Sequence, residues 1–160
     1  GPPPRPGVGT GVSHGDPELL SRSVEETREA GRRLARSLAP GSLVLLSGPL
    51  GAGKTELVRG IAEGLGAAPE EVASPTFALV HEYGPPGETP VLVHADLYRL
   101  LGSPRSVAAV EDLGLDEARE RGAVVVVEWP EGLARTEEGV VVAISVENDE
   151  ARRIVVRRAS

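Results

Sequence analysis

Hydrophobic and polar positions divide this chain into short apolar runs separated by amphipathic stretches. Residues 42–47, a short apolar stretch between two serines, and 124–127, an unbroken valine run, have the pattern of strands buried in a sheet. Residues 77–83 and 91–96 read as further strands, and 84–87 as the loop between them. Two late apolar stretches, 140–146 and 153–157, read as an antiparallel pair. Helical spacing occurs in three places. Ser23-Val24-Glu25-Glu26 has the form of a capping box, and Val24, Thr27, Ala30, Leu34 and Leu38 follow as an apolar stripe that stops near Pro40-Gly41. Leu57, Ile61, Ala62 and Leu65 repeat over 55–65, with Gly66 as a stop. Residues 106–121 predict a helix in two pieces broken at Gly114, and 69–72 a single helical turn. Residues 1–17 are rich in Pro and Gly without periodicity and read as a disordered tail. Residues 18–160 then form one α/β domain with flanking helices and a mixed, mostly parallel central sheet.

Between the first long apolar run and the second helix stands Gly48-Pro49-Leu50-Gly51-Ala52-Gly53-Lys54-Thr55, a G-x-x-x-x-G-K-T sequence. Strand, glycine loop, helix is the order a phosphate-binding loop requires. Its glycines let backbone N–H groups turn toward phosphate oxygens, and the helix N-terminus adds its positive dipole end. Lys54 is the only lysine, and the other sixteen of the seventeen basic residues are arginine. A compact ammonium is thus kept at the one position that must reach the β- and γ-phosphates of a nucleotide. The expected contacts are Gly48, Pro49, Leu50, Gly51, Ala52, Gly53, Lys54, Thr55 and Glu56 for the nucleotide, with the Thr55 hydroxyl on Mg²⁺. The fold expectation sharpens accordingly to a three-layer P-loop NTPase-like sandwich.

Such a loop needs a carboxylate at the end of a neighbouring strand to hold the metal. Asp96 closes the run Val91-Leu92-Val93-His94-Ala95-Asp96, where parallel α/β sheets place ligands; the competing role is a cap on the next turn. His94 alternates to the same side and reads as a packed or hydrogen-bonded strand histidine. Glu128 follows the valine run, and its expected roles are to orient or deprotonate the attacking water or to support the metal. Trp129 reads equally as a nucleotide-stacking residue and as a half-buried strand end. Thr76, within Ala73-Ser74-Pro75-Thr76-Phe77, is the candidate γ-phosphate sensor of a switch segment. The arginines at 152, 153, 157 and 158 read as a solvated edge strand.

Composition prunes the alternatives. Cys is absent, which removes disulfides, thiolate metal sites and cysteine nucleophiles. A net charge of -7 argues against direct binding of RNA or DNA, though not against nucleic acid held by a partner. No apolar run suits a membrane span and no signal-peptide pattern is visible, so a cytoplasmic location is expected. The guanine-reading Asn/Thr-Lys-x-Asp sequence cannot occur, because the sole lysine is already used. The four aromatic residues, Phe77, Tyr83, Tyr98 and Trp129, fall in the segments that carry candidate chemistry and are expected near the site. A small-molecule kinase and a nucleotide-gated interaction module stay open as alternatives to an ATPase.

Taken in order, Ser47 to Thr55, Ser74-Pro75-Thr76-Phe77, His94-Ala95-Asp96-Leu97-Tyr98-Arg99-Leu100 and Glu128-Trp129-Pro130-Glu131 resemble the TsaE family, also called YjeE. The likeness runs from about Ser23 to the C-terminus. The glycine loop is shared by many families; the D-L-Y-R-L and E-W-P-E segments are far more specific. The resemblance implies a slow Mg²⁺-dependent ATPase serving threonylcarbamoyladenosine modification of tRNA, partnered by TsaD and TsaB and meeting tRNA through them. A monomer is expected when the protein is alone. It also implies that Lys54 binds phosphate, that Thr55 and Asp96 serve the metal, that Thr76 is switch-like, and that Glu128 and Trp129 are essential. Pro49 departs mildly from the family pattern.

Overall fold

The computed structural model describes residues 18–49, 51–68, 80–85, 87–98, 113–130 and 139–158. One seven-stranded mixed sheet organises them: β1 (Glu18–Ser21), β2 (Leu43–Ser47), β3 (Val80–Tyr83), β4 (Leu92–Asp96), β5 (Val124–Glu128), β6 (Val140–Val146) and β7 (Arg152–Arg158), in the order β1-β7-β6-β2-β5-β4-β3. Strands β2, β4, β5 and β6 run parallel, while β1, β3 and β7 pair antiparallel with their neighbours. The apolar strand β2 is central because both its faces are covered. Val44 and Leu46 lie in one core cluster with the helices α1 (Val24–Arg36) and α2 (Lys54–Gly64), and Leu43 and Leu45 lie in the other with α3 (Leu115–Glu120). Leu57 and Ile61 of α2 are almost wholly buried, a contribution of about 1.5–3 kcal/mol each by area removed from water.

The same alternation fixes the chemistry. On β4, Leu92 joins the cluster on the α1/α2 side and Val93 and Ala95 the opposite one. His94 and Asp96 therefore share the face of Leu92, and Glu128 shares the face of Val124 and Val126. Parallel pairing sets Asp96 opposite Glu128. Three ionisable residues thus reach one end of the sheet, on the side where α2 begins.

Helix α1 is capped as expected: the Glu26 N–H donates to Ser23 Oγ at 3.0 Å, although the Glu26 carboxylate takes its bond from Arg22 rather than from Ser23. Its buried face keeps the predicted stripe except at Val24, with Ala30 and Leu38 partly buried against the core. Val24 is 59% exposed, and the buried positions are Thr27, Gly31, Leu34 and Ala35. Val24 shares the helix face of Gly31, seven residues on, but stands in the first turn of α1, away from the close crossing with α2. A Cβ on Gly31 would stand 2.3 Å from the Leu57 carbonyl oxygen, and one on Gly60 would stand 2.0 Å from that of Arg28. Backbone meets backbone there, and the rim is laced by Arg28–Glu56 at 2.7 Å and Arg32–Glu63 at 2.6 Å.

Strand β1 is not foreseen by the sequence reading, which began its first element at Ser23. Its presence makes β7 an interior strand, so the arginine-rich segment is not the edge that was expected. Tyr83, expected near the site, is 6% exposed and packs in the α1/α2-side core. The late antiparallel pair forms as expected, and Gly114 starts α3 with a φ of 74°. The expected turn at 69–72, the first part of the 106–121 helix and the strand residues 77–79 lie outside the described residues. Among the described residues, no helix is long and apolar enough to cross a membrane.

Candidate functional site

The loop from Gly48 to Thr55 turns from the end of β2 into α2. Gly48 has a φ of 155°, and a Cβ there would stand 2.4 Å from the Ile144 carbonyl oxygen on β6, so only glycine lets the loop pass. Gly53 caps α2 in the left-handed region, at a φ of 105°. The Ala52 N–H donates to the Pro49 carbonyl at 3.2 Å, closing the turn. Helix α2 begins at Lys54, so its first N–H groups, which have no intrahelical acceptor, open toward the loop.

Lys54 is 6% exposed and makes three contacts. Nζ donates to the Gly48 carbonyl oxygen at 2.7 Å, stands 3.7 Å from Glu128 Oε1, and sits 4.4 Å above the ring of Trp129. The ammonium is therefore compensated by a carbonyl, a carboxylate and an aromatic face. The other oxygen of Glu128, Oε2, accepts from Nε2 of the wholly buried His94 at 2.5 Å. Trp129 has a φ of 57°, the one described non-glycine residue with positive φ, and its ring meets that of Tyr98 edge-on at 5.0 Å. The peptide turns sharply where β5 ends, which brings the indole back over Lys54.

Asp96 Oδ1 accepts from the Tyr98 N–H at 2.9 Å, so Asp96 does cap the next turn; it also stands beside Glu128 across the strand pair. Glu56 is held by Arg28 at 2.7 Å and Arg59 at 2.6 Å. Burial pushes the Glu56 carboxyl up, but the hydrogen bonds from the two guanidinium groups pull it further down, leaving it below its ordinary value. Its carboxylate is thus committed to the ion pairs with Arg28 and Arg59. Among the described residues no group of three or more His, Asp or Glu side chains converges as a metal cluster. Leu50 and Thr76 lie outside the described residues.

One contact escaped the sequence reading. Arg152, at the start of β7, donates from Nε to the Ala52 carbonyl at 3.1 Å, and from Nη1 to the carbonyls of Asn148 and Ala151. It lines an open cavity of about 510 Å³ with Ser23, Thr27, Gly51, Gly53 and Asp149, directly beside the loop. A count of nearby arginines carries no signal for a contact 100 positions away.

Fold and site together define an α/β protein with a mixed sheet, in which a glycine loop and two carboxylates meet at the ends of adjacent parallel strands. Residues 21–155 match the family model for "Threonylcarbamoyl adenosine biosynthesis protein TsaE". The chain belongs to the TsaE family. It is 51% identical over 105 residues to the tRNA threonylcarbamoyladenosine biosynthesis protein TsaE of Streptomyces coelicolor, covering 66% of this chain and 68% of that one. It is 46% identical over 134 residues to the protein of the same name from Mycobacterium bovis, covering 81% and 77%. Among solved structures, the crystal structure of Bacillus subtilis YdiB aligns with a TM-score of 0.65 at 32% identity, covering 92% of this chain and 90% of that one.

Proposed function

We propose that this protein is a P-loop ATPase whose Mg²⁺-dependent turnover supports threonylcarbamoyladenosine modification of tRNA, in partnership with TsaB and TsaD. The observation that carries the reading is Lys54, the only lysine, held at the N-terminus of α2 within 3.7 Å of the Glu128 carboxylate. The sheet order, the glycine loop after β2 and the helices on both faces support a P-loop NTPase-like sandwich.

On this reading, the loop N–H groups and the start of α2 cradle the phosphates, and Lys54 exchanges the Gly48 carbonyl for the γ-phosphate. Thr55, Asp96 and Glu128 offer one hydroxyl and two carboxylates at one end of the sheet. That oxygen-only set suits Mg²⁺, which keeps several waters and takes few protein ligands. When bound, the metal supplies charge neutralisation on the phosphates. Glu128 orients the attacking water through the oxygen that now faces Lys54. Trp129 and Tyr98 wall the site beside the lysine, and the cavity lined by Ser23, Thr27 and Arg152 leaves room for the nucleoside. Thr76 is the residue proposed to sense the γ-phosphate.

The test follows ATP hydrolysis by the protein alone, with TsaB and TsaD, and with tRNA added, with threonylcarbamoyladenosine measured in the same tubes. The expected result is hydrolysis stimulated by the partners with sustained product, both lost in Lys54→Ala. Hydrolysis indifferent to the partners, with no effect on product, would overturn the reading and bring a small-molecule kinase forward.

A further inference from the structure

We infer that His94 is a positioning residue for Glu128, fixing which carboxylate oxygen faces the nucleotide; the inference rests on the ATPase reading above. His94 is wholly buried, on a strand whose other buried members are Leu92, Val93 and Ala95. Nε2 donates to Glu128 Oε2 at 2.5 Å, whereas Nδ1 finds no hydrogen-bond partner among the described residues. As packing alone this is a poor arrangement. An apolar residue would fill the position without leaving a buried nitrogen unsatisfied. What the imidazole provides is its one bond. It holds Oε2 down toward the sheet and turns Oε1 outward, to 3.7 Å from Lys54 Nζ.

The placement is built into the strand register. His94 and Asp96 are two residues apart on β4, so they share a face, and Glu128 on β5 is opposite Asp96. The imidazole therefore sits one residue pair deeper than the two carboxylates, below Glu128 and out of reach of solvent. Without that bond the glutamate regains side-chain rotation, and the water it aligns loses its fixed orientation, while the loop that binds nucleotide is untouched. The signature is a loss in kcat with little change in KM.

The test compares His94→Gln, His94→Asn and His94→Leu, each alone and with Glu128→Gln, in partner-stimulated ATP hydrolysis. Glutamine places its amide nitrogen near the position of Nε2, whereas asparagine reaches only as far as Nδ1. His94→Leu and His94→Asn are expected to lower kcat on the order of 10–100-fold with KM within about threefold, and His94→Gln to retain most activity. In the Glu128→Gln background, none of the three should cause further loss. If His94→Leu does not fold, the Asn and Gln pair still decides the matter. Wild-type kcat in both His94→Leu and His94→Asn, equal loss in Gln and Asn, or loss additive with Glu128→Gln would overturn the inference while leaving the ATPase reading intact. A wild-type protein whose hydrolysis equals that of Lys54→Ala would overturn both.

Discussion

Arg152 and Ala52 are 100 positions apart, yet the Arg152 guanidinium donates to the Ala52 carbonyl oxygen at 3.1 Å. This bond pins the outer turn of the glycine loop to the start of β7. A hydrogen bond from a charged group contributes about 1.5–3 kcal/mol when partly shielded. Arg152→Ala is expected to weaken nucleotide binding about tenfold through a looser loop, with a small fall in thermal stability. Calorimetric titration with ATP checks this; unchanged affinity would mean the loop holds its shape without the arginine.

Lys54→Ala removes the ammonium that Gly48, Glu128 and Trp129 surround. Losing a charge-assisted bond to phosphate is expected to weaken ATP binding about 10–100-fold. The folded state should tolerate the change, because the remaining carboxylate keeps its bond from His94. Equilibrium binding of a fluorescent ATP analogue, beside a denaturation curve, separates the two effects. Equal affinity in variant and wild type would remove Lys54 from the site.

Trp129 is the sole indole and lies 4.4 Å below Lys54 Nζ. When the ammonium turns to a phosphate, the ring loses its cation and its emission should change in proportion to occupancy. Lys54→Ala should shift the emission of the nucleotide-free protein and abolish the response. A flat titration alongside calorimetrically proven binding would place the indole outside the events at the loop.

The crossing of α1 and α2 gives a stability expectation. Gly60→Ala drives a methyl group to within 2.0 Å of the Arg28 carbonyl oxygen, a backbone atom that cannot swing aside. Overpacking of this kind costs about 1–3 kcal/mol. Urea denaturation should show a lower midpoint with an unchanged slope. Wild-type stability would mean that the helices separate more readily than this crossing implies.

Glu56 supplies a pH dependence. In the unfolded chain its carboxyl titrates near its ordinary value of 4.5, and in the fold it titrates lower because Arg28 and Arg59 outweigh burial. The stabilisation is therefore complete above the unfolded value and disappears as pH falls through the folded one. The difference in urea midpoint between wild type and Glu56→Gln should be constant near neutral pH and shrink below about 4.5. A difference that grows on acidification would contradict the sign.

The elements legible in the sequence were those that carry their own signal. Strand β2, the loop and α2 announce themselves by an apolar run, glycines and helical spacing, and the late β6–β7 pair by its two apolar runs. Strand β1 is only four residues long and exists because β7 offers it a partner, which no local pattern reveals. The stripe of α1 fails at Val24, which lies on the buried face but at the exposed first turn, and it passes over Gly31, a buried residue with no hydrophobic side chain to count. Tyr83 entered the core because its strand lies beside β4, a neighbour fixed by tertiary pairing. At the site, alternation alone put His94 and Asp96 on one face. The bond between His94 and Glu128 needed the register of two strands far apart in the chain.

The backbone crossing of Gly31 and Gly60 also closes a circuit. Strand β7 pairs with β1, β1 leads into α1, α1 rests on α2, and α2 carries the loop that Arg152 ties back to β7. A strain applied to either terminal strand therefore reaches the loop along two routes at once. The outermost pair of strands, one ending two residues before Ser23 and the other beginning at Arg152, thus frames the loop from the side away from Lys54 and Glu128.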